Sequence, residues 1–181
     1  MNREDYLALM KSKVQNVNLQ KHMLAAEAIL RALAPSFAGD EDEWGLAGLL
    51  HDIDYETTAE TPKKHGLESA ELLQSYDLPD YVIQAIKVHP GYLERKTDLD
   101  KALYAVDPLT GLIVASALIH EDKKLSSIDT NFVMNRFCSK SFAKGANRDQ
   151  IKACSELDFE VEEFIALGLK AMQSISKELG L

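Results

Sequence analysis

The sequence predicts an all-α protein folded as one compact domain. Three observations carry this. Apolar residues recur at helical spacing nearly throughout. No run alternates apolar and polar residues over a convincing strand length. No internal repeat or low-complexity linker divides the 181 residues, a length that buries a real core. Apolar content of 46% and charged content of 27% belong to an ordinary globular chain.

The elements follow in order. "MNREDYLALMKSKVQN" is charged and amphipathic, without the apolar core of a signal peptide. Over residues 17–34, Leu19, Met23, Ala26, Leu30 and Leu33 recur at spacings of four and three and define one helix face. Pro35 and Gly39 punctuate its end. Asp40 to Glu43 place acids where the next helix begins, complementing its dipole. Trp44, at that entrance, reads as a core anchor. A further helix is expected from Thr61 as N-cap with Pro62 in its first turn, and another with Pro79 in its first turn. "DLDKALYAVDPLTGLIVASALIH" is apolar nearly all round and should cross the centre of the molecule, kinked or broken at Pro108. Residues 121–150 are mixed and carry a basic cluster, and Asp158 to Leu179 closes the chain as an amphipathic helix. The division expected is a core of about 17–120 with a helical extension of about 121–181.

The formal net charge of −9 argues against a nucleic-acid backbone or an anionic membrane surface as main partner. It leaves a phosphorylated small molecule open, because a metal supplies local positive charge. The longest apolar run, "GLIVASALI", is far shorter than a membrane span. Cys138 and Cys154 show neither zinc-knuckle nor disulfide-framework spacing, so two reduced, partly buried thiols and a cytoplasmic location are expected.

The chemistry concentrates in "LAGLLHDIDYE", residues 46–56, where a greasy run ends in His51, Asp52, Asp54 and Glu56. Ionisable groups at the end of a core element cost free energy unless paired or metal-bound. Of the five histidines, His22 shares the inward face of its helix, His51 ends the buried run, His65 opens a helix and His89 ends "VIQAIKVH". Asp107 lies in the most apolar segment. Each alone reads as a hydrogen-bonded core histidine or a helix cap; together, four inward histidines and two inward carboxylates need a common sink for their lone pairs. His120 stands outside this pattern, as a structural or exposed residue.

The order His22, His51-Asp52, Asp107 resembles the HD-domain superfamily of metal-dependent phosphohydrolases. The added His65 and His89 resemble its dinuclear branch, H…HD…H…H…D. "KHGLESAELL", "AIKVHPG", "KALYAVDPLTGLIVA" and "KSFAKGANRDQI" are similar to a widespread bacterial group of small stand-alone HD or HDIG-type proteins, over nearly the whole chain. The resemblance implies an HD-domain helical bundle. It implies that His22, His51, Asp52 and Asp107 hold one metal and that His65 and His89 hold a second, with Asp52 bridging. Imidazoles with carboxylates suit Fe or Mn first, then Zn, Co or Ni, better than Mg.

The activity implied is hydrolysis of a nucleotide or other small phosphorylated metabolite by a metal-activated hydroxide. A mixed-valent di-iron oxygenase on the same ligands, or a nucleotide-binding module without catalysis, are the alternatives. One metal per chain would turn the reading to a mononuclear nucleotidase. Some relatives carry Glu where this chain has Tyr55. Asp54 therefore joins Asp52 as a candidate catalytic residue, as a base or as the orienting partner of a ligand histidine. Lys63 and Lys64, beside His65, and Lys140, Lys144 and Arg148, around "SFAKGANR", are candidate contacts to a substrate phosphate.

Overall fold

The computed structural model describes residues 1–139 and 141–181. Among them every regular element is helical: α1 (Arg3–Lys13), α2 (Val17–Leu33), α3 (Glu41–Leu50), α4 (Tyr55–Thr58), α5 (Leu67–Leu73), α6 (Asp80–Val88), α7 (Asp98–Ile119), α8 (Thr130–Cys138), α9 (Arg148–Lys152), α10 (Val161–Ser174) and α11 (Ser176–Leu179), with short 3-10 turns between.

The starts are fixed by side-chain caps at orphan N–H groups. The carboxylate of Asp40 accepts from Asp42 and Glu43 N at the head of α3. Thr97 and Asp100 form a reciprocal capping box on α7. Helix α3 lies along α2 so closely that Gly48 meets backbone: a Cβ there would fall 2.5 Å from Glu27 N and 2.6 Å from Ala26 C. Helix α1 packs on α3, and α7 runs through the middle against α2, α6, α8, α9 and α10. Trp44 lies inside α3, 4% exposed and stacked on Phe37 at 5.5 Å.

Several expectations are corrected. Of the kink or break expected at Pro108, the break is absent: α7 continues to Ile119. Proline lacks the N–H that would bond the Tyr104 carbonyl four residues earlier, and the side-chain amide of Gln150 in α9 donates to that carbonyl at 3.4 Å. Thr61 caps no long helix: Pro62–Lys64 is a 3-10 turn, and Gly66 at φ 78° separates it from α5. That conformation suits glycine, and a Cβ would also strike Ile86 O at 2.9 Å. The closing helix is interrupted, with Asp158 left-handed before α10 and Ile175 between α10 and α11. By length and composition α7 is also apolar enough to cross a membrane, longer than the run read from sequence, but 61% of its most apolar window is buried in the fold. Cys154 is buried, whereas Cys138 is exposed instead of partly buried, and both are free.

Candidate metal centre

Four helices deliver side chains to one point. His22 comes from the second turn of α2, His51 and Asp52 from the turn ending α3, His89 from the C-terminus of α6 and Asp107 from mid-α7. The Gly66 turn adds His65. His51 and His89 are fully buried, and Asp52 is 5% exposed.

The outer nitrogens fix the tautomers. Nδ1 of His51 faces Gly48 O at 2.8 Å and Nδ1 of His89 faces Ile86 O at 2.6 Å. Carbonyls only accept, so both Nδ1 atoms carry hydrogen. His65 Nδ1 donates to Asp54 Oδ1 at 2.8 Å. Thr110 spends its hydroxyl hydrogen on Asp107 O, so at 2.7 Å it accepts from His22 Nδ1. All four histidines therefore turn Nε2 inward.

The inner atoms converge. His22 and His51 Nε2 are 3.0 Å apart, and His65 and His89 Nε2 are 3.1 Å apart. Asp52 touches every one: its Oδ1 lies 3.4, 3.2 and 3.4 Å from Nε2 of His51, His65 and His89, and its Oδ2 lies 3.4 Å from His22. Asp107 Oδ1 is 3.3 Å from His22 Nε2. Donor atoms of His22, His51 and Asp107 fall within 4.8 Å of one another, as do those of His51, Asp52 and His89.

This arrangement fits a divalent transition metal. With Nδ1 protonated on the outer side, the Nε2 atoms converge on one place, and a divalent ion there would take over from the protons that His22 and His65 otherwise hold. Two donors each about 2.1 Å from one ion stand roughly 3.0 Å apart at a right angle and roughly 3.4 Å apart at the tetrahedral angle. The measured separations span that interval. The nitrogen-and-carboxylate set suits Fe, Mn, Zn, Co or Ni.

Protonation follows the same field. Burial alone lowers an imidazole, and His51 falls to about 4. Burial also opposes charge on His22, but hydrogen bonds to Asp107 and Asp52 outweigh it and raise His22 to about 10. His65 rises to about 9 against burial, held by Asp52 and Asp54. Asp52 stays well below the usual carboxylate range: burial works against its charge, and the surrounding histidines prevail.

The remaining candidates divide. Both oxygens of Asp54 are engaged: Oδ1 with His65, Oδ2 with Gly66 N at 2.8 Å and Ser69 N at 2.9 Å. Its geometry is that of an orienting partner and not of a base facing the donor cluster. Glu56 instead accepts from Gln15 and Asn16 N, away from the centre. Lys63 lines a cavity of about 350 Å³ beside His65, while Lys64 pairs with Glu68 at 3.4 Å. Lys140 lies outside the described residues. Lys144 and Arg148 line a different cavity, with Phe137, Cys138 and Asn147 and with none of the six donor residues. The Arg148 guanidinium is spent on backbone carbonyls, among them Arg136, Phe142, Ala143 and Ala146, so it staples the α8–α9 connection. Sequence reasoning passed over Thr110, which carries no motif, and Lys87 and Tyr92, which reach the His65 cavity from beyond α5.

A family model described as HD domain matches residues 19–126. Curated relatives named Ribonuclease Y align with part of the chain. The protein from Nitratiruptor sp. is 36% identical over 93 residues, 51% of this chain and 18% of its own length. That from Aliarcobacter butzleri is 37% identical over the same shares. That from Desulfotalea psychrophila is 28% identical over 73% of this chain and 26% of its own. The chain thus spans about a quarter or less of these relatives. No solved structure gives a significant match.

Proposed function

Because the chain belongs to the HD domain family, a superfamily of metal-dependent phosphohydrolases, we propose that it hydrolyses a phosphate ester or phosphoanhydride of a nucleotide or similar small metabolite. His22, His51, Asp52 and Asp107 would hold one metal, and His65 and His89 a second shared through Asp52. The observation that carries this is the contact of Asp52 with all four inward Nε2 atoms. Bound divalent ions supply Lewis acidity, acidifying water and neutralising charge on a phosphoryl oxygen.

The chain supplies the rest. Thr110 and Asp54 orient His22 and His65. Buried His51 and His89 close the inner wall and keep bulk water from that side. Asp107, whose side chain is 31% exposed, faces the entering substrate. The reaction adds water across a P–O bond and releases the alcohol or the second phosphate.

A second reading rests on the name Ribonuclease Y borne by the relatives, which favours an RNA phosphodiester as substrate despite the acidic chain.

The test is phosphate or nucleotide release from a panel of nucleotides, phosphomonoesters and short RNA, with Mn, Fe, Co or Ni. Elemental mass spectrometry of anaerobically purified protein and oxygen uptake accompany it. The expected result is about two metals per chain, metal-dependent hydrolysis, and its loss in Asp52→Ala. Iron-specific oxygen uptake without hydrolysis would overturn the reading in favour of an oxygenase.

A further inference from the structure

The cavity beside His65 has features the metal centre does not use. Lys63, Lys87, Leu67, Tyr92 and Leu93 line it with His65 itself, and its volume is about 350 Å³. That is within the range of small-molecule sites.

Its walls come from three separate segments held by two glycines. Gly66 at φ 78° brings the Lys63–His65 turn against the end of α6, where a Cβ would fall 3.0 Å from Lys87 O. Gly91 at φ 83° turns the chain after α6 close against the Tyr104 ring, 2.9 Å from where its Cβ would be, and delivers Tyr92 and Leu93 to the mouth. The cavity is thus built by backbone geometry that other residues would strain.

The chemistry of the lining is specific. Among the described residues the lysine ion pairs are those of Lys64, Lys96, Lys101 and Lys152. Lys63 and Lys87 join none of them. In a chain of net charge −9, two lysines outside those ion pairs on the lining of one cavity favour an anion, although Lys87 also borders a second cavity with Glu71 and Asp80. The same place gathers exposed apolar side chains. Tyr55 (48%), Leu67 (41%), Tyr92 (58%) and Leu93 (43%) are half of the eight exposed large hydrophobics among the described residues. The Tyr55 ring stands edge-on to His65 at 5.3 Å. Exposed apolar clusters beside polar groups mark binding sites more than chance.

We propose that this cavity selects a substrate with two separated anionic groups and a flat aromatic ring. One phosphoryl group goes to the metal centre, the second anion to Lys63 and Lys87, and the ring to the face of Tyr92. The inference rests on the proposed phosphohydrolase reading for the first phosphoryl group. It adds the demand for a second.

Equilibrium binding to the Mn-loaded full chain tests it without requiring turnover. The probes are adenosine 3′,5′-bisphosphate and adenosine 5′-monophosphate. The bisphosphate should bind about tenfold tighter or better. Lys63→Gln with Lys87→Gln, both at exposed positions, should reduce that preference to about onefold. Tyr92→Ala should weaken both nucleotides about tenfold. Equal affinities in the wild type, a preference that survives the double variant, or no binding of either probe would each overturn the proposal. Phosphate release on the same samples is read separately: silence there removes the hydrolase reading and leaves the binding ratio to decide this one.

Discussion

Asp54 and His65 meet at 2.8 Å, carboxylate to Nδ1, while the other Asp54 oxygen gathers the N–H groups of Gly66 and Ser69. One carboxylate thereby fixes a histidine tautomer, the turn that carries it and the start of α5. Such partners of ligand histidines set ring orientation and basicity.

On the proposed two-metal assignment, Asp54→Asn should therefore weaken binding of the ion assigned to His65 and His89 about 10–100-fold and leave the other bound. Competition with a chelator, followed by elemental analysis, reads this directly. Loss of both ions together would mean that Asp54 supports the fold of the whole centre and not His65 in particular.

Gly48 and Gly111 make opposite predictions from one substitution. A Cβ at Gly48 meets the backbone of Ala26 and Glu27, which cannot move without parting α2 from α3 and His22 from His51. Gly48→Ala should cost about 1–3 kcal/mol and weaken metal binding. At Gly111, in α7, nothing lies within 4 Å. Gly111→Ala should be neutral or stabilise by up to about 1 kcal/mol, through helix propensity. Thermal unfolding of both variants checks the contrast.

Five of the six candidate donors were legible in the sequence because His22, His51, Asp52, His89 and Asp107 end or interrupt an apolar helix face, where an ionisable group has no local reason to be, whereas His65 sits in the turn before α5. His51-Asp52 after Leu49-Leu50 is the clearest instance. Their partners were not legible. Thr110 acts through one hydroxyl set by α7 against α2, and no spacing announces that contact. Asp54 showed a carboxylate but not that both oxygens are taken. Arg148 looked like an anion contact because charge is visible in sequence, whereas the carbonyls of Arg136, Phe142, Ala143 and Ala146 surround it only in the folded chain. The break expected at Pro108 is absent for the same reason: local rules interrupt a helix there, and the group that donates to the freed Tyr104 carbonyl is Gln150, 46 residues further along the chain from Tyr104.

The two thiols should react in sequence. Cys138 is exposed, whereas Cys154 is buried, bonded to Phe159 O at 3.5 Å, and pushed up to about 11 chiefly by burial. The thiolate is the reactive form. Iodoacetamide at pH 8 should add one label to the native protein and a second only in denaturant, as intact mass will show. Rapid double labelling of the native protein would contradict the buried position of Cys154.

The continuity of α7 through Pro108 gives the last prediction. Without an N–H at residue 108, the Tyr104 carbonyl would stand unpaired in a partly buried setting, and Gln150 Nε2 donates to it. Removing that donor by Gln150→Ala should cost about 1 kcal/mol, the usual worth of a hydrogen bond to an otherwise unsatisfied group. Pro108→Ala restores an N–H in helical register with Tyr104 O, so in that background Gln150→Ala should cost almost nothing. The coupling energy from the four denaturation curves is then about 1 kcal/mol. Equal costs in both backgrounds would show that Gln150 stabilises α9 by packing alone, and that α7 tolerates Pro108 for another reason. Because Asp107 precedes the proline and lies 3.3 Å from His22, metal affinity measured on the same four proteins should fall in Gln150→Ala and recover when Pro108 is also replaced.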